Sequence, residues 1–328
     1  MYNRQNPKID YGAQLGIFFG LVGGAFILAA IAQAIFMFTV VDMKTFLSTG
    51  SADNLKSELF TPKNRNVLLT MQVVSTFFMF FIPALVYAKI VHGKPFEYLG
   101  LKMKSNKMQV GLVVLLAFIG LALSGALGEL NELIPISKGL EKKFRAMEAE
   151  YQSTVLAIAT IKNFGDYLVA LAVIAILPAF FEELLFRGVM QQLLEQWTNN
   201  GWLAVILTGI IFSAIHLSYY GFLPRLGLGI VLGLIFFYTR NMWLNVLLHF
   251  LNNAVAVTAL YYSNVKGLNP EKVLDEKFPI WIGAIALVIV VYLLQQLYKV
   301  SIANGSHYIN NTIAPSKNIF EQNNDDRP

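Results

Sequence analysis

Between Asp10 and Asp42 stand 31 consecutive residues without a charged side chain. Wound into an α-helix at 1.5 Å per residue they would reach about 45 Å. A bilayer core of about 30 Å takes about 20 apolar residues per helical crossing, so one such run already points to a membrane. The run is too long for the apolar core of a signal peptide and no small-x-small cleavage pattern follows it, so it reads as a retained span. Comparable runs recur at 66–88, 108–128, 166–195, 201–224, 226–239, 241–265 and 278–298, which predicts eight crossing helices. The chain is 56% hydrophobic and 14% charged, against about 25% charged in soluble domains, which fits a polytopic bundle and not one large soluble core.

The connections carry the remaining information on organisation. Segment 89–107 holds five lysines in a short stretch, the pattern of a cytoplasmic connection, and implies cytoplasmic N- and C-termini. Segment 138–151 mixes both charge signs with Leu140, Phe144 and Met147 and reads as an amphipathic helix on the membrane surface. Segment 42–65 is a polar loop with a possible helix cap at Ser51 or Asp53. The expected division is 1–165 for three N-terminal spans with the amphipathic segment, 166–298 for a core carrying the chemistry, and 299–328 for a disordered Asn-rich tail. The expected fold is an all-α transmembrane bundle of about eight spans with an internal polar cavity. Net charge is +5, fitting basic loops beside anionic lipid, with no clustered nucleic-acid footprint. The absence of cysteine excludes thiol nucleophiles, disulfides and thiolate metal sites together.

One apolar run is interrupted where interruption is costly. Phe180-Phe181-Glu182-Glu183-Leu184-Leu185-Phe186-Arg187 places two carboxylates and a guanidinium at bilayer depth. Each such group costs roughly 2.5–3.5 kcal/mol on insertion scales, so it faces a protein or water-filled interior and marks function. Glu183 and Arg187, four residues apart, share a helix face within ion-pair reach, and this pair reads mainly as structural glue. Glu182 sits about 100° round the helix without that cation and suits a general base. Pro178, four residues before it, should loosen or kink the helix above the pair and admit water.

Two further constellations fall in predicted spans. Phe212 precedes His216 by one helical turn; His249 precedes Asn253 by one turn and follows Asn245 by one. Neutral imidazoles and carboxamides in lipid need hydrogen-bonding partners, and Glu182 would supply one. A lone histidine in a span is as readily a helix–helix contact; Glu182, His216 and His249 taken together read as catalytic. Asn252, next to Asn253, is the other candidate to face inward, and the spacing from His249 favours Asn253. Tyr219 and Tyr220 read as interfacial aromatics.

In this order, Glu-Glu-x-x-x-Arg at 182–187, Phe-x-x-x-His at 212–216 and His-x-x-x-Asn at 249–253 resemble the CPBP group, also called Abi. It comprises the type II CAAX prenyl endopeptidases and related bacterial intramembrane proteases. The resemblance covers roughly residues 165–260; the first 150 add only hydropathy. It implies an eight-helix bundle with a cavity open to cytosol and membrane. By resemblance, Glu182 with His216 would activate water, His249 and Asn253 would stabilise the oxyanion, and Glu183 with Arg187 would hold the helix. Implied partners are a peptide or membrane-protein substrate, with a prenylated C-terminus or a leader peptide as options, in the bilayer of a bacterial inner membrane, and no nucleic acid.

Zinc held by Glu182, His216 and His249 is the alternative chemistry; no His-Glu-x-x-His is present and asparagine is a poor zinc ligand, which favours a metal-independent glutamate mechanism. No Gly-x-Ser-x-Gly or Gly-x-Gly-Asp motif supports other intramembrane protease classes. A proton-coupled transporter remains an alternative, since buried Glu-His-Asn sets also relay protons, although no inverted repeat supports it. A non-proteolytic membrane regulator or scaffold with the same fold is the third reading.

Overall fold

The computed structural model describes residues 9–38, 61–158, 161–269 and 278–304. Among these every regular element is helical. We number the principal helices α1 (Tyr11–Phe38), α2 (Arg65–His92), α3 (Lys107–Glu132), α4 (Lys138–Ile158), α5 (Phe164–Thr198), α6 (Gly201–Ala214), α7 (Phe222–Thr239), α8 (Met242–Lys266) and α9 (Ile280–Ala303). Seven of them, all but α4 and α6, are long and apolar enough to cross a membrane. Their outer faces carry large exposed apolar side chains, among them Phe19, Phe26, Leu115, Phe118, Trp281, Val288 and Tyr292. Such a surface is stable only against lipid, and the chain is an integral membrane protein. The loop cap expected at Ser51 or Asp53 and the tail from 305 lie outside the described residues. The amphipathic segment forms α4, mostly exposed and longer than expected.

The largest departure from the sequence reading is the fifth span. A single crossing at 201–224 is expected; instead α6 stops at Ala214 after 14 residues, about 21 Å, and α7 begins at Phe222. His216 therefore stands in a turn and not within a helix. The chemistry of the stop is local. His216 Nδ1–H donates to the orphan Phe212 carbonyl at 2.7 Å, capping the helix end. Leu217 then takes a left-handed φ of +52°, a conformation costing about 1–2 kcal/mol for a residue with a Cβ. Pro224 lies in the first turn of α7, where its missing N–H leaves no helical bond unmade.

Two apolar clusters make up most of the bundle. One joins α1, α2, α5, Phe212, Phe236 and Met242; the other joins α3, α7, α8 and α9. Helices α6 and α7 cross closely: a Cβ at Gly229 would sit 3.0 Å from Gly209 Cα, so a side chain there would have to push the two backbones apart. Helix α5 lies where the clusters meet. It is interrupted twice by π-helical turns, Leu171–Ile176 and Phe186–Gln191, which bracket the segment Leu177–Leu185 carrying both glutamates. Pro178 comes just after the first of these, and the widened turn accommodates the ring that would clash with the carbonyl four residues back. Pro83 in α2 repeats the arrangement after the π turn Phe77–Phe81.

Candidate active site

The polar residues of α5 form one buried stripe. Glu183, Arg187 and Gln191 are each fully buried and face α7 and α8. Arg187 Nη1–H donates to Glu183 Oε1 at 3.0 Å and Nη2–H to the Gly229 carbonyl at 3.1 Å. One turn further, Gln191 Nε2–H donates to the Gly233 carbonyl at 2.9 Å. The guanidinium also lies 4.7 Å from the centroid of the Phe212 ring, a cation–π contact in a desolvated setting. The expected Glu183–Arg187 pair is present, and it reaches further than spacing alone indicates because it draws a second helix's backbone onto α5.

Helix α8 completes the constellation. Asn245 Nδ2–H donates to Glu183 Oε2 at 3.2 Å and to the Leu232 carbonyl at 2.7 Å. His249 Nδ1–H donates to Glu183 Oε1 at 2.9 Å. Glu183 thus accepts from Arg187, His249 and Asn245 at once, which is how a carboxylate is satisfied at full burial. The four-residue step from Asn245 to His249 is the sequence signal for this joint engagement, and it reads there only as an extension of the His249 face.

With Nδ1 committed to Glu183, His249 has only Nε2 to offer a further partner. That atom stands 3.9 Å from Glu182 Oε2. The separation is too long for a direct hydrogen bond and of the width that one bridging water oxygen spans. Glu182 is less buried than its neighbour, with a side chain 12% exposed against 0% for Glu183. Two adjacent glutamates therefore have different surroundings: one is saturated by three donors, the other faces an imidazole edge 3.9 Å away.

His216 joins through an aromatic bridge. The Phe212 ring packs edge-on against His216 at 5.1 Å and against His249 at 5.9 Å. Because His216 Nδ1–H is held by the Phe212 carbonyl, its Nε2 is an acceptor. Asn253 stands one turn beyond His249 on α8, half-buried, and its side chain makes no hydrogen bond among the described residues. Asn252 instead lines a small apolar cavity between α3, α7 and α8, with Ser124, Leu127 and Leu248.

His249 and His216 each donate Nδ1–H inside the protein and keep Nε2 for a further partner, and among the described residues no three His, Cys, Asp or Glu side chains group as metal ligands.

Around this centre, α4 covers the turn that carries His216. Phe144 stacks on Tyr219 at 4.7 Å and an interplanar angle of 4°, and Ser218 Oγ–H donates to Glu148 at 2.6 Å. Asn131 at the end of α3 holds the turn from below, donating to the Tyr219 carbonyl at 2.9 Å and accepting from the Leu223 amide at 3.0 Å.

Residues 164–255, which contain every side chain of this centre, match the family described as Rce1-like, type II CAAX prenyl endopeptidase Rce1-like. Uncharacterized protein YpbD of Bacillus subtilis (strain 168) is 30% identical over 97 residues, 28% of this chain and 47% of that protein. The chain thus spans about half the length of the relative it matches. No solved structure matches it. Motif order and matched span agree, so residues 164–255 are similar to the Rce1-like, type II CAAX prenyl endopeptidase family.

Proposed function

We propose that this protein is an intramembrane endopeptidase that hydrolyses a peptide bond with a water activated by Glu182. The observation that supports this best is the division of labour between the glutamates. Glu183, saturated by Arg187, His249 and Asn245, fixes the His249 ring, whose Nε2 then stands 3.9 Å from the less encumbered Glu182.

In this reading Glu182 takes a proton from water as the oxygen adds to the scissile carbonyl, and His216 Nε2 accepts from the same water and aims it. His249 donates from Nε2 in its imidazolium form, with Glu183 as counter-carboxylate, and Asn253 supplies amide N–H to the developing oxyanion. The proton on Glu182 then passes to the leaving amine as the C–N bond breaks. Asn253 carries no competing hydrogen bond among the described residues and is free to turn toward a substrate. The substrate is a peptide or membrane-protein segment, a prenylated C-terminus or a leader peptide, and the basic connection 89–107 lies on the cytoplasmic side of a bacterial inner membrane.

The test is cleavage of a quenched fluorescent peptide library, with and without farnesylated cysteine, by purified protein in detergent. Cleavage abolished by Glu182→Gln and retained after chelation supports the glutamate mechanism. Cleavage that survives Glu182→Gln refutes it, and loss on chelation restored by zinc replaces it with a metallo-mechanism.

A further inference from the structure

His216 stands in a turn that apolar burial does not hold. Its neighbours Ile215 and Leu217 are 43% and 73% exposed, and Leu217 is in the left-handed region, which is costly for a residue with a Cβ. Bonds within the turn close it on itself: Gly221 N–H donates to Ser218 Oγ at 3.0 Å, and Ser213 Oγ–H donates to the Phe222 carbonyl at 2.6 Å. Such local bonds fix its shape but not its place relative to Glu182 on α5.

An attachment to the rest of the bundle passes through Asn131, the last but one residue of α3, which is 1% exposed. Its Nδ2–H donates to the Tyr219 carbonyl at 2.9 Å, and its Oδ1 accepts from the Leu223 amide at 3.0 Å. Tyr219 and Leu223 are four residues apart, so this carbonyl and this amide are the pair that a continuous α-helix would join directly. The carboxamide stands between them with one group on each, and a side chain inserted into that ladder bends or breaks a helix. The same contact caps α7 from outside, because the N-cap position is Gly221, which has no side chain to satisfy the free N–H groups of the first turn. The contacts from α4, Glu148 on Ser218 and Phe144 on Tyr219, come from half-buried residues, whereas Asn131 is buried. Asn131 also lies outside residues 164–255, so the matched span does not include it.

Resting on the proposed peptidase reading, we propose that Asn131 is a positioning residue for His216. By holding the Tyr219 carbonyl and the Leu223 amide apart, it stops α7 from growing back toward the turn and keeps the imidazole where it aims the water at Glu182. Without the carboxamide the Leu223 amide is left to bond the Tyr219 carbonyl directly, and the turn is drawn toward α7 with His216 on it.

The test is a double-variant cycle read beside the ring itself. Cleavage of a peptide taken from the library is measured for wild type, Asn131→Leu, His216→Ala and the two combined. Asn131→Leu should lower kcat about 10- to 100-fold, the scale of a reacting group displaced by about 1 Å, with KM within about 2-fold of wild type. In the His216→Ala background it should change kcat by less than about 2-fold, since no imidazole is left to position. Asn131→Ser, smaller and still polar, is measured alongside in case the leucine variant does not fold. Imidazole nitrogen resonances of histidine-labelled protein, assigned through His216→Ala and His249→Ala, report placement without turnover. Asn131→Leu should move those of His216 and leave those of His249 in place.

A kcat loss of equal size in both backgrounds, or His216 resonances that do not move, overturns the proposal. So does a shift of both histidines together, or failure of both variants to fold, either of which makes Asn131 a general support of the bundle. If the wild-type protein cleaves nothing, the peptidase reading falls, and a shift confined to His216 still leaves Asn131 as the residue that places its ring.

Discussion

Replacing Arg187 by methionine removes the guanidinium bonded to Glu183 and strands a carboxylate with no solvent exposure. Breaking a buried pair from one side costs about 3–5 kcal/mol. Here Glu183 keeps His249 at 2.9 Å and Asn245 at 3.2 Å, which holds the electrostatic loss near the lower bound, about 3 kcal/mol. The Gly229 carbonyl also loses its donor inside the α5–α7 contact, adding about 1 kcal/mol. The expected total of about 4 kcal/mol is nearly a 10³-fold change in the folding equilibrium. His249→Ala should cost only about 1 kcal/mol, because Glu183 then retains Arg187 and Asn245. Unfolding by sodium dodecyl sulfate titration in mixed micelles, monitored by tryptophan fluorescence, measures both. The decisive comparison is the double variant Glu183→Gln with Arg187→Met. If the single variant fails because a charge is stranded, removing that charge should recover at least about 2 kcal/mol. A single variant within about 1 kcal/mol of wild type, or a double variant no more stable than the single one, would refute this account of the pair.

His249→Ala and Asn253→Ala should each lower kcat by roughly 10²–10³, the scale of one oxyanion donor, at a stability cost of about 1 kcal/mol or less; unchanged turnover of a cleaved peptide removes the residue from the site. Gly229→Val should destabilise the bundle by about 1–3 kcal/mol and reduce activity, since its side chain would meet Gly209 across the α6–α7 crossing; wild-type stability on the same titration would show that the two helices can part without cost.

The apolar runs made most of the helices legible, because a chain with so few charges has no other way to bury its backbone polar groups in lipid. The motif residues were legible for a related reason: charge and imidazole at bilayer depth stand out against leucine and phenylalanine. What spacing could not convey was the break after Ala214. The run 201–224 has no charged residue and so reads as one span, although 216–221 is its more polar stretch; the stop is made by His216 capping the Phe212 carbonyl and by a left-handed Leu217, and neither contact is written in the spacing. The same limit hid the partners of Arg187 and Gln191. Both donate to backbone carbonyls of α7, at Gly229 and Gly233, and a carbonyl acceptor leaves no residue-type signature. Gly227, Gly229 and Gly233 mark a close-packing face in the sequence, but the groups they let approach carry no such mark.

The two π turns of α5 connect these observations. A π turn admits one extra residue and rotates the helix beyond it, so the segment Leu177–Leu185 between them is set in its own register relative to the rest of α5. In that register Glu183 meets α8 and Glu182 points where His249 Nε2 stands 3.9 Å away. At the end of the second turn, Gln191 lies on α7 at Gly233. Arg187 sits inside that second turn, bonded backward to Glu183 and sideways to Gly229, so the ion pair spans the register change and fixes it. A pair that reads in the sequence as glue is therefore also what holds the neighbouring glutamate at its angle, and loss of the pair should blunt catalysis even in the molecules that remain folded.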